Sequence, residues 1–406
     1  MSSEPTPVFL REGSIWADLG QEGIIAISPF QDKPKIYKRK VPVSVKKIER
    51  NFSDTEAFYF WISKSINSEF ESASRVSSTV NGKLHLYHRG INYNNSDVHF
   101  ERSEKTLSYL FRYPHPALSG LSYGERLFLS LLEHKCIPAC GNILEIGAGL
   151  GLHKKGFLSL MKEKTPDSYR NAAYINLDLA PGMLESQRRQ NITVYQKHPF
   201  VQADAVKMPF VNSVFDLVIA NEVIADFSVE KVFKKRAGNS SYIKKYGLKI
   251  DDAAPLFLIN TGAIKFMEEL YRILKPGGKA VIIEYGDESH YPIATILPDH
   301  TEYSIHFGHL ICVAEQLGFK VQYKNLLEFL KFRPSVKVIT GNSLILLQRL
   351  LKHLNHRLSS FAYTKQMLKK EITDFYNKIH NLQFEKVEKL ATLFRVQEFK
   401  ALILEK

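Results

Sequence analysis

Cysteine is scarce in this chain, with three in 406 residues. Cys136 and Cys140 are spaced for a metal clip, but no second Cys/His pair stands at finger spacing to complete four ligands. Two free, reduced thiols are therefore expected, with no bound metal. Long apolar stretches are lacking as well. No run reaches the roughly 18 residues that a membrane-spanning helix needs, so no membrane span is expected. The first eight residues are polar, with Pro5 and Pro7, and have neither the basic start nor the apolar stretch of a secretory leader. A cytoplasmic location is the expectation. Internal repeats and low-complexity tracts are also missing. Acidic residues are outnumbered: 55 Lys and Arg face 42 Asp and Glu, a net charge of +13. That excess favours an acidic partner (nucleic acid, an acidic peptide or a phosphorylated substrate), although lysine-rich surfaces also simply keep a protein dissolved.

What is present reads as a globular protein of two or three units. Residues 1–118 are aromatic and polar, with β-like runs at 24–27, 83–88 and 98–101 and helical periodicity over 54–70; they are expected to form an accessory domain of mixed structure. From 119 to 330 strands and helices alternate. A helix over 121–135 leads into a strand at 142–146, a helix at 152–161, a strand at 173–177 and a helix at 181–189. Short extended pieces follow at 193–196 and 199–202, then a strand at 217–220, a helix at 261–274, a strand at 279–284, a helix at 307–317 and a strand at 320–323. Short apolar strands alternating with helices predict an α/β doubly wound, Rossmann-like parallel sheet covered on both faces. Residues 331–406 are expected to be a helical insertion, lysine-rich and strongly helical over 341–395, closed by an edge-like strand at 399–404.

The chemistry-bearing motifs sit at the strand ends. Glu145-Ile146-Gly147-Ala148-Gly149-Leu150-Gly151 follows the first core strand and opens a helix. Glycines there permit a tight turn and a close approach of backbone N–H groups to a ligand, a device shared by dinucleotide-binding folds. Asp178 ends the second strand and is followed by Leu179, Gly182 and Met183. A carboxylate there can accept from both hydroxyls of a ribose. Asp204 and Ala205 close the third strand segment, and Phe215 to Glu222 form the fourth strand and its exit. Lys275-Pro276-Gly277-Gly278 precedes the fifth.

In this order the motifs resemble those of class I methyltransferases that use S-adenosylmethionine (SAM), over residues 143–285. The resemblance implies that Glu145 faces the methionine moiety and Asp178 the ribose, with Leu179 and Met183 flanking adenine or ribose. Asp204, with Ala205, would take the adenine amino group. Gly147, Ala148, Gly149 and Gly151 would cradle the cofactor, and Asn221 would border it.

The acceptor side lies after the fourth strand, at Asn221-Glu222-Val223-Ile224-Ala225-Asp226. No Asp/Asn-Pro-Pro-aromatic motif stands here, and no Pro-Cys nucleophile, which argues against nucleobase methylation; nucleic acid is not the expected partner. The exit instead resembles the MidA family, bacterial relatives of the mitochondrial protein arginine methyltransferase that assists complex I assembly. Ala220 to Val223, Asp226, Glu284-Tyr285-Gly286, residues 301–310 and the strand at 399–404 carry that resemblance. The chain departs from it at Leu150, where Arg or Ser is usual, and at His306, where an acid is usual; the family's N-terminal signature is absent. The resemblance implies a protein or peptide substrate methylated on arginine or another side-chain nitrogen, with a small quinone or natural product as the alternative acceptor. Glu222 and Asp226 would bind the planar cation, with Asn221, Tyr285 and His306 completing the catalytic set and His300 and His309 nearby. The basic stretch 231–249 reads as a mobile lid, a docking surface or a solvated face. A homodimer is one assembly the sequence leaves open.

Overall fold

The computed structural model describes residues 14–19, 24–27, 33–37, 106–191, 199–296, 301–360, 362–390 and 398–406. The elements expected at 54–70, 83–88, 98–101 and 193–196, and His300, lie outside them.

The main sheet takes its strands from Gly141–Ile146 (β1), Ala172–Asp178 (β2), Phe200–Gln202 (β3), Phe215–Asn221 (β4), Leu274–Asp287 (β5), Lys320–Asn325 (β6) and Phe399–Glu405 (β7). Their spatial order is β6-β7-β5-β4-β1-β2-β3, with the short strand Ile305–His306 pairing beside the end of β5. The first five are mutually parallel, and β7 runs antiparallel to both β5 and β6. The order reverses between β1 and β4, which opens a crevice at their carboxyl ends. Residues 399–404 were expected at an edge, but β7 lies inside the sheet; its apolar run Ala401–Leu404 is buried on both faces, as an interior strand requires. In β5 the register shifts between Leu274 and Lys279, where Pro276 and the two glycines stand.

The period of two divides each apolar run between two cores. Ile143, Leu217, Ile219, Val281 and Ile283 face one core, with Leu127 and Phe128 of the helix Tyr123–Glu133 (α1) and Phe157 and Met161 of Leu152–Lys164 (α2). Leu144, Ile146, Val218, Ala220 and Ile282 face the other, with residues of the helices Thr261–Ile273 and Phe307–Leu317. Cutting Leu127 back to Ala would cost about 2–5 kcal/mol. α1 starts in a capping box: Glu125 N–H donates to Ser122 Oγ, and Ser122 N–H donates to the Glu125 carboxylate at 2.7 Å. A Cβ on Gly124 would stand 1.9 Å from His153 O, so α1 rests against the start of α2 through a bare glycine.

Of the parts expected as separate units, the strands at 15–18 and 24–27 share a second sheet and core with described residues of 339–380, while Leu107, Phe111, Ala117, Leu118 and β7 belong to the main unit. The strand Ile15–Asp18 pairs with Ile24–Ile27 on one side and with Ile379–His380 on the other, all antiparallel. Ile15, Ala17, Ile25 and Ile27 pack on Leu346, Leu347, Leu350 and Leu351 of the helix Gly341–His353. Four-residue strands and one amphipathic helix cannot bury their apolar faces alone, and here they bury one another's. Within the strongly helical stretch expected over 341–395, the first helix stops at His353. Asn355 adopts a left-handed φ of 57° and His356 N–H donates to Leu351 O at 2.8 Å, the glycine-type helix stop made with asparagine. Two short helices and the strands Ile379–His380 and Phe384–Lys386 follow. Among the described residues no helix is long and apolar enough to cross a membrane.

Candidate functional site

The ends of β1, β2 and β3 are stitched side by side. Gly147 N–H donates to Leu177 O at 2.9 Å, and Ala203 N–H donates to Asp178 O at 3.1 Å. After β1, Gly147, Gly149 and Gly151 hold left-handed φ of 62°, 52° and 73°, a conformation that favours glycine. A Cβ on Gly147 would lie 2.4 Å from Val223 Cγ2, so the turn after β1 abuts the exit of β4 across the crevice. Ala148 is buried beside it.

Asp178 is buried at the end of β2, and burial pushes its carboxyl up to about 7 against the pull of its hydrogen bonds. Ala180 N–H donates to one oxygen at 3.0 Å, and Gln187 Nε2 donates to the other at 3.0 Å. Gln187 Nε2 also donates to Gly149 O at 2.9 Å, tying the carboxylate to the glycine turn. Sequence reasoning missed Gln187; the signal was its place four residues after Met183, on the same helix face. Met183 packs with Leu150 and Ala180 into a small apolar cluster beneath the turn. Leu179 is half-buried, and its carbonyl accepts from Gln202 Nε2 at 3.2 Å. Asp204 is exposed, with Val206 N–H donating to its carboxylate at 2.9 Å, while Ala205 is buried in the core.

Glu145, expected to face the methionine moiety, has its carboxylate ringed by protein groups: Tyr174 OH donates at 2.8 Å, Asn176 Nδ2 at 3.2 Å, and His153 Nε2 lies 2.8 Å away. Burial raises its carboxyl, but His153, Lys154 and Tyr174 together outweigh burial and hold it below the ordinary value. The physical reason is pleat direction: Glu145 shares strand register with Asn176 and meets the buried start of α2.

On the acceptor side Asn221, Glu222, Asp226 and Tyr285 come together, with three groups that were not assigned to the site: Tyr123, Glu284 and Glu302. Tyr123 OH donates to Asn221 Oδ1, and Asn221 Nδ2 donates to Glu222 Oε1 at 3.0 Å. Glu222 is half-buried and takes a left-handed φ of 55°, which no glycine relieves; such backbone strain gathers at functional sites. Leu107 N–H donates to both its oxygens at 3.0 Å, so the carboxylate caps the short helix Leu107–Leu110. Burial pushes Glu222 up to about 7, with Glu302 adding to the shift. Glu284, buried on β5, accepts from Ala225 N–H at 3.2 Å and Tyr285 N–H at 3.0 Å. Its carboxyl is driven far up by burial and then by the charges of Glu222 and Glu302. Tyr285 is pushed up by burial, then by Glu302, Glu284 and Asp226. These acids sit at the exits of β4 and β5, beside the glycine turn.

His306 does not join them. Its Nδ1 accepts from His309 N–H at 3.2 Å as the cap of the helix Phe307–Leu317, and its ring stacks on His309 at 3.8 Å. Burial, then His309, lowers its imidazole to about 4. The stretch 231–249 is packed rather than lid-like: strands Glu230–Phe233 and Leu256–Ile259 pair, and Val232, Tyr246 and Leu248 enter the main core.

Residues 144–237 match the family described as "Methyltransferase domain". Two curated relatives give the scale of the likeness. A malonyl-[acyl-carrier protein] O-methyltransferase of Legionella pneumophila is 39% identical over 101 residues, 25% of this chain and 32% of that protein. A ubiquinone/menaquinone biosynthesis C-methyltransferase, UbiE, of Coxiella burnetii is 21% identical over 224 residues, 52% of this chain and 72% of that protein. The chain thus spans about a third of the first relative's length. Among solved structures, an uncharacterized protein from Burkholderia thailandensis is 14% identical with a TM-score of 0.45, covering 81% of this chain and 95% of that one. A SAM-dependent methyltransferase from Archaeoglobus fulgidus is 15% identical with a TM-score of 0.34, covering 70% and 95%. None of these names the MidA family.

The residues present fit SAM, the cofactor that the order of the sequence motifs implies. The glycine turn leaves backbone room, and the Asp178 carboxylate, which accepts from the N–H groups of Leu179, Ala180 and Gln187, keeps lone-pair capacity for a ribose hydroxyl.

Proposed function

We propose, for a chain that belongs to the class I SAM-dependent methyltransferase superfamily, that it methylates a side-chain nitrogen, of arginine or a similar group, in a protein or peptide. The observation that carries this reading is the gathering of Glu222, Glu284, Asp226 and Glu302 at the exits of β4 and β5, next to the cofactor turn. Carboxylates forced together, one buried and three half-buried, are matched by a planar cation, which can meet them bidentately.

Bound SAM supplies a methyl group already activated by its sulfonium. The protein's share is to hold and align. Gly147, Ala148, Gly149 and Gly151 carry the backbone cradle, Asp178 takes the ribose hydroxyls with Gln187 steadying it, and Leu179 and Met183 line the base. Asp204 and Ala205 hold the adenine edge. Glu222, pushed up to about 7, is poised as a general base at neutral pH, oriented by Asn221 and by Leu107 N–H. A guanidinium loses its proton only with such help, because its own pKa lies above about 12. Tyr285 and Asp226 border the acceptor.

A small-molecule acceptor is the second reading. The two curated relatives are named for a carrier-bound acid and a quinone. Transfer of tritium from labelled SAM to an arginine-containing peptide, against transfer to a small carboxylic acid and a quinone, separates the two. Faster labelling of either small molecule than of the peptide would overturn the first reading.

A further inference from the structure

Tyr123 opens α1 and is buried, although it carries a hydroxyl that packing does not need. A phenylalanine would fill the same space. Its backbone is pinned on three sides: the capping box fixes the start of α1, Tyr123 N–H donates to Phe111 O at 2.7 Å, and the next residue, Gly124, rests against His153 O. The ring meets that of His153 edge-on, with centroids 6.4 Å apart. A buried tyrosine hydroxyl has to find a partner. This one crosses to the end of β4, where it donates to Asn221 Oδ1.

Asn221 is buried as well, and it passes the hold on. With Oδ1 taken by the phenol, its Nδ2 faces Glu222 and donates to Oε1 at 3.0 Å. The reverse amide orientation would set an oxygen against a carboxylate. An amide whose oxygen accepts also donates more strongly from its nitrogen. The hydroxyl therefore fixes both the direction and the strength of the bond to Glu222.

We propose that Tyr123 is a positioning residue for methyl transfer: through Asn221 it holds the Glu222 carboxylate where an acceptor proton would leave. The inference rests on the reading of Glu222 as the base. Tyr123 does not share that part, because burial and then the charges of Glu222 and Glu284 keep its phenol protonated well above the ordinary tyrosine value. It remains a donor at every working pH. Glu302 from the strand Thr301–Tyr303, Glu284 from β5 and Tyr123 from α1 face Glu222, together with the N–H groups of Leu107 and Ser108. Burial and the neighbouring acids disfavour its charge, whereas Asn221 and the two N–H groups favour it. Removing the hydroxyl weakens the favouring side, so Glu222 should then ionise only at higher pH.

Tyr123→Phe in the full chain tests this with two readouts. The first needs no acceptor: the carboxyl band of Glu222, isolated by infrared difference against the Glu222→Gln variant, is followed with pH. Its midpoint should rise by about half to one pH unit. The second is transfer from labelled SAM to the arginine-containing peptide. There kcat at pH 7 should fall roughly fivefold with KM within a factor of two, and the loss should shrink as pH rises. In an Asn221→Ala background the same substitution should move neither readout further. An unmoved midpoint, an equal loss at every pH, or an additive effect in that background overturns the proposal. Full turnover of the peptide by Glu222→Gln instead removes the base on which it rests, whatever the infrared midpoint does.

Discussion

Asp178 and Glu222 are two carboxylates at the same sheet edge, both pushed up to about 7 by burial, yet they are held in opposite ways. Asp178 draws its donors from Ala180 and Gln187, within nine residues of itself. Glu222 is held by Leu107, 115 residues away, and is repelled by Glu302 on a distant strand. The proposed cofactor half is local in sequence, and the proposed acceptor half exists only once the chain has folded. A site assembled this way can keep its cofactor chemistry while its acceptor changes with the surrounding loops.

The comparison is broken most severely by removing the local carboxylate. Asp178→Ala should weaken SAM binding by roughly a hundredfold, since two hydrogen bonds to a charged group are lost. Calorimetry reads this directly, and an affinity near wild type would empty the cradle of its meaning. Glu222→Gln comes next: turnover should fall on the order of a hundredfold, while SAM affinity stays within a factor of two or three. Equal loss of both would merge the halves that the structure separates.

Gln187→Ala sharpens the local side. It removes one donor from Asp178 and from Gly149 O together, and should cost about five- to tenfold in SAM affinity. The smallest effect is the response to pH. Asp178 has its folded value raised above the ordinary carboxylate value, so it favours the folded state most in acid, and that contribution is lost as pH rises through about 7. Hydroxyl donors prefer the ionised carboxylate, so SAM affinity should climb over the same window, by roughly tenfold at most. Asp178→Asn should flatten that climb; a slope that survives in the variant assigns it to another group.

The same contrast explains what could be read from the sequence. The glycine turn, Asp178 and the strand order through β5 follow from short-range patterns, because a βα turn writes its needs into adjacent residues. Asn221 and Glu222 were legible as a strand exit. Their partners Tyr123 and Glu302 were not, because nothing near them in sequence signals that α1 and the strand Thr301–Tyr303 close over β4. Glu145 shows a related limit: its motif position suggests a ligand, and cross-strand register with Asn176 gives it protein partners as well. The leucine spacing of 344–351 indicated a helix correctly, but not that its apolar face waits for strands from the far end of the chain.

β7 has a consequence for how the protein is made. This strand leaves the ribosome after every other strand of the sheet, yet its place is inside it, one in from the edge, hydrogen-bonded along Lys279–Tyr285 on one side and Lys320–Asn325 on the other. Until it arrives, the edge of β5, apolar along Ala280–Ile283, stands open as a template for pairing with a neighbouring nascent chain, and the polar edge of β6 has no partner on that side. Slow release of β7 therefore lengthens the time for which the β5 edge stays open, a risk that the stability of the finished sheet does not remove.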